Sequence, residues 1–422
     1  MTEKERVRSM LQYWLWLSTR KGLGPRGVQK VLTYFSAPQA AFQANQEAYR
    51  LAKLTEKECA ALADKDLEGP RRMIEDCAER DIRILTMQDA VYPERLRNIA
   101  DPPAVLYYRG NLPPVDSEPL VAVIGSRESS IFGLSMAKRL GYQIACCGGI
   151  VVSGMAKGGD GMAMTGALSA GRPVIGVLGC GVDIVYPACN RHIYEDTVRR
   201  GCVISEYPPG TTPTKYTFPA RNRIISGLSL GVVVVEAPVR SGTLITTDFA
   251  LEQGRDVFAV PGNANVKSCA GSNKLLKEGA ALVESGWDVM REYQQLFPER
   301  IRKIRAGQAI TLSTDEMRRN LPPVERSVPV NKSVKEKPGF DKKAVDIPEQ
   351  PDYIVVQDLP GLSEDERKIL TVLQDGPRLL DDLIDASGVG PGAVLASLTM
   401  LEIKKYVVRL LSNRYELARK KK

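Results

Sequence analysis

The chain has 422 residues, 43 % hydrophobic and 26 % charged, with 58 Lys and Arg against 50 Asp and Glu for a net charge of +8. This length holds two or three domains, one of them with a large core, and the modest positive bias favours polyanions without requiring one. Eight cysteines lacking any C-x-x-C, together with a single histidine, His192, argue against structural zinc and histidine-based catalysis.

Along the chain, residues 5 to about 80 read as small helices. Apolar periodicity runs through Met10, Leu11, Trp14 and Leu15 and again through Val28, Val31, Leu32 and Phe35. Charges interrupt Met1 to Arg20 before an apolar core forms, so it does not read as a signal peptide. With no apolar run long enough to span a bilayer, a cytoplasmic protein without membrane contact is expected. Lys21-Gly22-Leu23-Gly24-Pro25 is a tight glycine turn opening a helix that carries Arg26 and Lys30. It reads either as a helix-hairpin-helix turn offering amides to a DNA phosphate or as a plain helix connection.

Between Val121 and Gly262 apolar strands alternate with helix-length segments, and each strand runs into a loop of Gly, Ser, Thr, Arg or Lys. The strands are Val121 to Gly125, Ile150 to Ser153, Val174 to Leu178, Val203 to Glu206, Val232 to Glu236 and Val257 to Val260. Continuous apolar runs of this kind indicate a parallel sheet buried on both faces. The fold class is therefore α/β, with its ligand at the carboxyl ends of the strands. Ser126-Arg127 follows the first strand, and Ala156 to Asp160 follows the second. A long Pro-rich loop after the fourth finishes in Lys215 to Arg223, and Arg240 to Thr243 opens a helix after the fifth.

Residues 299 to 355 are charged, Pro-containing and aperiodic, and read as a flexible basic linker. From Leu362 periodicity resumes. Helices over Ser363 to Leu373, Leu379 to Ala386 and Pro391 to Glu402, then strands Tyr406 to Leu411 and Arg414 to Leu417, make a winged helix. The third helix carries no Lys or Arg, which argues against strong duplex binding and leaves protein contact or modest DNA contact open.

Tyr92-Pro93, Asp101-Pro102-Pro103, Ile124 to Arg127, Ser153-Gly154, Tyr186-Pro187, Ser205 to Gly210, Phe218-Pro219, Arg221 to Ile225, Ser241 to Thr243 and Ala259 to Gly262 follow one another in unbroken order. Over roughly residues 80 to 290 the chain resembles the DNA-processing protein DprA (Smf) family. The resemblance implies an extended Rossmann-like, doubly wound fold that forms a homodimer and binds single-stranded DNA. It also implies a recombination mediator that protects incoming DNA and loads the RecA recombinase during natural transformation, displacing single-strand-binding protein.

The domains are then 1–80 (helical, SAM-like or helix-hairpin-helix), 81–298 (Rossmann), 299–355 (linker) and 356–422 (winged helix). The family's pocket maps onto Ser126, Arg127, Lys215, Phe218, Arg221, Asn222, Arg223, Ser241, Gly242, Thr243 and Thr246. Gly125 and Gly158 belong with them as positions where backbone amides can approach a phosphate. Where members commonly carry Gly-Ile-Asp followed by a histidine, this chain reads Gly159-Asp160 and then Met164.

These residue types suit a single strand, which presents phosphates beside open base faces. Arginine can fork two hydrogen bonds onto a phosphate, and Phe218 reads either as a stacking platform or as a lid over the core. Arg221 and Arg223 read as phosphate ligands or as ion pairs with Glu206 or Glu236. The enzyme alternative is a nucleotide-processing Rossmann protein related to phosphoribohydrolases. Ile and Thr stand at the helix start after Ser241 where its catalytic carboxylate would be, and Asp160, Asp183, Glu206 and Glu236 lack an arranged His or Cys partner. No catalytic residue, metal or cofactor is expected.

Overall fold

The computed structural model describes residues 3–303 and, beyond them, 362–374, 378–404, 406–410 and 414–418. The first block and the later ones form two separate compact units. The proposed linker lies outside the described residues from position 304 onward.

Six helices lead the first unit: Glu3–Thr19, Pro25–Phe35, Pro38–Gln43, Gln46–Leu51, Glu56–Ala63 and Glu68–Glu79. The glycine turn forms as the sequence suggests, with Gly22 at φ 100° and Pro25 opening the next helix after Gly24. Packing does not stop at residue 80. One apolar cluster runs from Trp14, Leu15 and Leu17 through Ile82 and Tyr107 to Val121 in the sheet. Trp14 Nε1 also donates to Gln88 Oε1 at 3.3 Å, and Tyr107 Oη donates to Met73 Sδ at 3.1 Å.

The sheet has nine strands: β1 (Arg83–Thr86), β2 (Val105–Gly110), β3 (Leu120–Ile124), β4 (Ile150–Ser153), β5 (Val174–Val177), β6 (Cys202–Ser205), β7 (Gly231–Val234), β8 (Asp256–Ala259) and β9 (Ala281–Leu282). Their order is β1-β2-β6-β5-β4-β3-β7-β8-β9. All pairs from β6 to β9 are parallel, whereas β1 and β2 form an antiparallel edge. Alternate residues serve two cores: Val121, Val123, Val151 and Val233 face one, and Leu120, Ala122, Ile124, Val152 and Val232 the other. Helices Ile131–Cys146 and Gly159–Ser169 cover the first face, and Thr217–Leu228 and Gly242–Glu252 the second. The chain moves outward from β3 through β4, β5 and β6, then crosses back to place β7 on the other side of β3. The carboxyl ends of β3 and β7 therefore border a topological switch point.

The C-terminal unit packs helices Glu364–Leu373, Leu380–Ser387 and Pro391–Ile403 around Ile369, Leu370, Leu383, Val394 and Leu398. Three strands, β10 (Arg378–Leu379), β11 (Val407–Leu410) and β12 (Arg414–Leu417), pair in the order β10-β12-β11. Lys404 is paired at 2.8 Å with Glu366, whose carboxylate also closes a capping box with Ser363. Among the described residues no helix is long and apolar enough to cross a membrane.

In the helical segment Lys65 Nζ stands 5.1, 5.2 and 5.0 Å from the ring centroids of Trp16, Phe42 and Tyr49. Burial pulls its ammonium down to about 8. Between pH 8 and the ordinary lysine value the unfolded chain holds a proton that the folded chain has released, so Lys65 adds stability as pH rises through that window. Urea midpoints of the wild type relative to Lys65→Met should therefore climb from pH 7.5 to pH 9.5. A flat difference would mean that the three rings retain the ammonium.

Candidate nucleic-acid interface

A cleft of about 420 Å³ opens at the switch point. Gly125 to Glu128 after β3, Lys215 to Ile225, and Pro238 to Thr246 after β7 supply most of its wall. Arg127, Lys215, Arg221 and Arg240 line it against Glu128 and Asp160, so its potential is positive.

Asp160, 6 % exposed, stands at the start of helix Gly159–Ser169 and ties the first two loops together. Its Oδ1 accepts the Gly125 N–H and its Oδ2 the Gly154 N–H, both at 3.1 Å. Burial pushes this carboxyl up, against the opposing pull of Arg221 and of the Gly125, Gly154 and Ala156 amides. Gly159 N–H donates to Ser126 O at 3.1 Å and Ser126 N–H to Glu236 O at 2.8 Å. These bonds correct the expectation for Gly125: its amide binds a protein carboxylate and cannot also bind a ligand phosphate. Gly158 serves the crossing instead, because at φ 89° a Cβ would sit 2.3 Å from Ser126 O.

The stretch expected to end a loop is helical from Thr217, and this separates its two arginines. Arg221, 4 % exposed, points back beneath the cleft floor and donates to Gly154 O at 2.8 Å and to Val177 O. Burial lowers its guanidinium to about 10 despite Asp160 beside it. Gly154 permits that approach, since a Cβ there would lie 2.5 Å from Arg221 Nη2 and 2.6 Å from Asp160 Oδ2. Asn222 accepts from Arg221 Nε and donates to Gly242 O at 3.1 Å, joining this helix to the loop after β7.

Arg223 does not line the cleft. Two residues on, it faces away, 2 % exposed, pairing with Asp101 at 3.1 Å and Glu206 at 2.8 Å and donating to Ala220 O. The ion-pair reading with Glu206 is the one realised.

Arg127 is exposed and has no carboxylate partner among the described residues; its guanidinium lies 5.1 Å from the centroid of Phe218. Phe218 in turn stacks on Tyr186 at 5.5 Å and 29°. Phe218 thus has a ring partner in Tyr186, which the sequence offers only among the family motifs and which lies behind the ring rather than in the wall of this cleft. Lys215 Nζ lies 5.2 Å from the ring of Tyr216, which is 75 % exposed.

On the opposite wall Ser241 Oγ accepts the Thr243 N–H at 3.1 Å and caps helix Gly242–Glu252. A Cβ on Gly242 would meet only open space. Thr246, 2 % exposed, lines the cleft with a hydroxyl that has no hydrogen-bond partner in the protein among the described residues. The helix start, with its positive dipole end, therefore faces the cavity.

The carboxylates considered for catalysis are held in structural pairs. Asp183 bonds Arg80 and the Gly210 N–H, Glu206 bonds Arg223, and Glu236 accepts from Ser130 N–H and Oγ–H at the start of helix Ile131–Cys146.

A doubly wound sheet with a basic, aromatic-walled cleft at its switch point, joined in one chain to a winged helix, defines a Rossmann-type anion-binding protein with an accessory domain. The family model described as DNA recombination-mediator protein A matches residues 83–294, and that of the DprA winged helix domain matches residues 356–411. Protein Smf of Synechocystis sp. is 31 % identical over 416 residues, covering 96 % of this chain and 98 % of that protein. The DNA processing protein DprA of Streptococcus pneumoniae is 44 % identical over 208 residues, 49 % of this chain and 72 % of that protein. The X-ray structure of DNA processing protein A from Streptococcus pneumoniae superposes with a TM-score of 0.57 at 36 % identity, covering 67 % of this chain and 97 % of that one. The chain belongs to the DprA (Smf) family of DNA recombination mediators.

Removing Arg223 leaves two carboxylates without their cation. Arg223→Ala should lower stability by up to about 3 kcal/mol in urea unfolding while leaving the salt dependence of DNA binding unchanged. A flattened salt dependence would return Arg223 to the interface.

Proposed function

We propose that the cleft binds single-stranded DNA and that the protein, as a homodimer, protects incoming strands and hands them to the RecA recombinase during natural transformation, displacing single-strand-binding protein. This work belongs in the cytoplasm. The observation that carries the reading is the Arg127–Phe218 pair, backed by Tyr186, lining one cleft together with the start of helix Gly242–Glu252. A single strand needs a cation and N–H donors for its phosphate beside an aromatic face for its base, and duplex DNA hides that base face. Ser126, Arg127, Lys215, Phe218, Arg221, Asn222, Ser241, Gly242, Thr243 and Thr246 line this cleft. Arg221 acts from beneath, as charge and scaffold.

A non-enzymatic role is supported by the engagement of Asp183, Glu206 and Glu236. Asp183 and Glu206 are held by arginines and Glu236 by the Ser130 N–H and hydroxyl at a helix start, and none of the three lines the cleft where a general base would have to stand.

Arg127→Ala should weaken binding of a labelled single-stranded oligonucleotide in fluorescence anisotropy and reduce the salt slope by roughly 0.7. Phe218→Ala should cost about 1–3 kcal/mol per stacked base with the slope unchanged. Preference for the duplex, or equal slopes in wild type and Arg127→Ala, would defeat this reading.

The solvent face of helix Pro391–Ile403 presents Gly392, Ala393, Leu395, Ala396, Thr399 and Met400 and no cation, which supports protein contact for the winged helix. Deleting residues 356–422 should leave oligonucleotide affinity within a few fold of the full chain. A hundredfold loss would make that unit a DNA domain.

A further inference from the structure

A second, smaller pocket lies on the far side of the Arg127–Phe218 pair, at the carboxyl end of β5. Arg127, Ala156, Phe218 and Arg221 line both cavities, so the arginine and the ring form the partition between them. Beyond the partition the lining consists of Lys157, Gly179, Cys180, Tyr186 and their neighbours, and no carboxylate is among them.

The backbone there is unusual. Leu178 N–H continues the sheet by donating to Ile204 O at 2.8 Å, and Gly181 N–H donates to Thr211 O at 2.9 Å. The N–H groups of Gly179 and Cys180, between these two, have no hydrogen-bond partner in the protein among the described residues, although both residues are buried. Unpaired N–H groups in buried backbone are rare because each forfeits its hydration. Gly179 is also the point where Phe218 crosses the strand end, since a Cβ would lie 2.9 Å from the ring.

Two backbone donors without a protein partner, the exposed guanidinium of Arg127 and the side chain of Lys157 line this pocket, with Arg221 beneath and no carboxylate in the lining. Donors and cations without acceptors select an anion over the mixed edge of a base. We propose that this pocket is a second phosphate subsite, which takes the phosphate adjacent along the strand to the one held at the start of helix Gly242–Glu252. Arg127 then lies between two successive phosphates, and Phe218 meets the base between them. The assignment rests on the single-strand reading and adds Gly179, Cys180, Lys157 and Tyr186 to the site.

The test is a set of amide NMR titrations of the deuterated full-length protein with a deoxythymidine oligonucleotide, thymidine 3′,5′-bisphosphate, thymidine and inorganic phosphate. The oligonucleotide and the bisphosphate should move the Gly179 and Cys180 amide protons downfield, and thymidine should not. Lys157→Glu should abolish these two shifts while sparing those at Arg127 and Gly242. Oligonucleotide shifts confined to Arg127 and Gly242 would overturn the second subsite and leave the single-strand reading standing. Shifts produced by thymidine alone would make the pocket a base site, and shifts from inorganic phosphate without any from the oligonucleotide would detach it from the strand. No binding by any of the four would overturn both readings.

Discussion

The Asp160 carboxylate is the constraint around which the carboxyl end of the sheet is organised. It is buried, it accepts N–H groups from the ends of both β3 and β4, and it sits beside a guanidinium that is itself bonded to the ends of β4 and β5. Burying a charge is costly unless it is paired and fully hydrogen-bonded. Here the Gly125, Gly154 and Ala156 amides and the positive field of Arg221 offset part of that cost, and in doing so they tie two strands and two loops together. An internal anion thus occupies the amides that a phosphate would otherwise take after the first strand.

The consequence is a displacement of the anion site toward β7. With the Gly125 amide satisfied inside, the cleft draws its donors from the start of helix Gly242–Glu252 and from the lining cations Arg127, Lys215 and Arg240. Arg221 adds positive charge from beneath without leaving its carbonyl partners. Asn222 links the two walls through Gly242 O, tying the helix that carries Phe218 to the loop that opens the opposite helix. The aromatic wall depends on the same packing, because Phe218 reaches Tyr186 only by lying across Gly179.

The helical N-terminal segment is packed onto this frame, since its core continues into the sheet through Trp14, Ile82 and Tyr107. Its glycine turn at Gly22 to Pro25 carries Lys21 and Arg26 exposed on the surface. The winged helix is a compact unit with its own core.

By itself the sequence determined what depends on local periodicity: the buried runs of β3 to β8, the helices between them, the rim of polar loops, and the three helices and hairpin of the winged unit. These follow from side-chain spacing of two and 3.6 residues, which any stretch carries within itself. The antiparallel edge of β1 and β2 escaped that reading because β1 is four residues with only Leu85 and Thr86 buried. The fates of Arg221 and Arg223 were decided by tertiary structure alone. Their partners are Gly154, Val177, Asp101 and Glu206, up to 122 residues away, and the helix beginning at Thr217 turns one guanidinium under the cleft and the other out of it. Tyr186 and the unpaired amides of Gly179 and Cys180 became visible only once β5 was laid beside β6, because an N–H group is free or bonded according to its neighbours and no residue type records which.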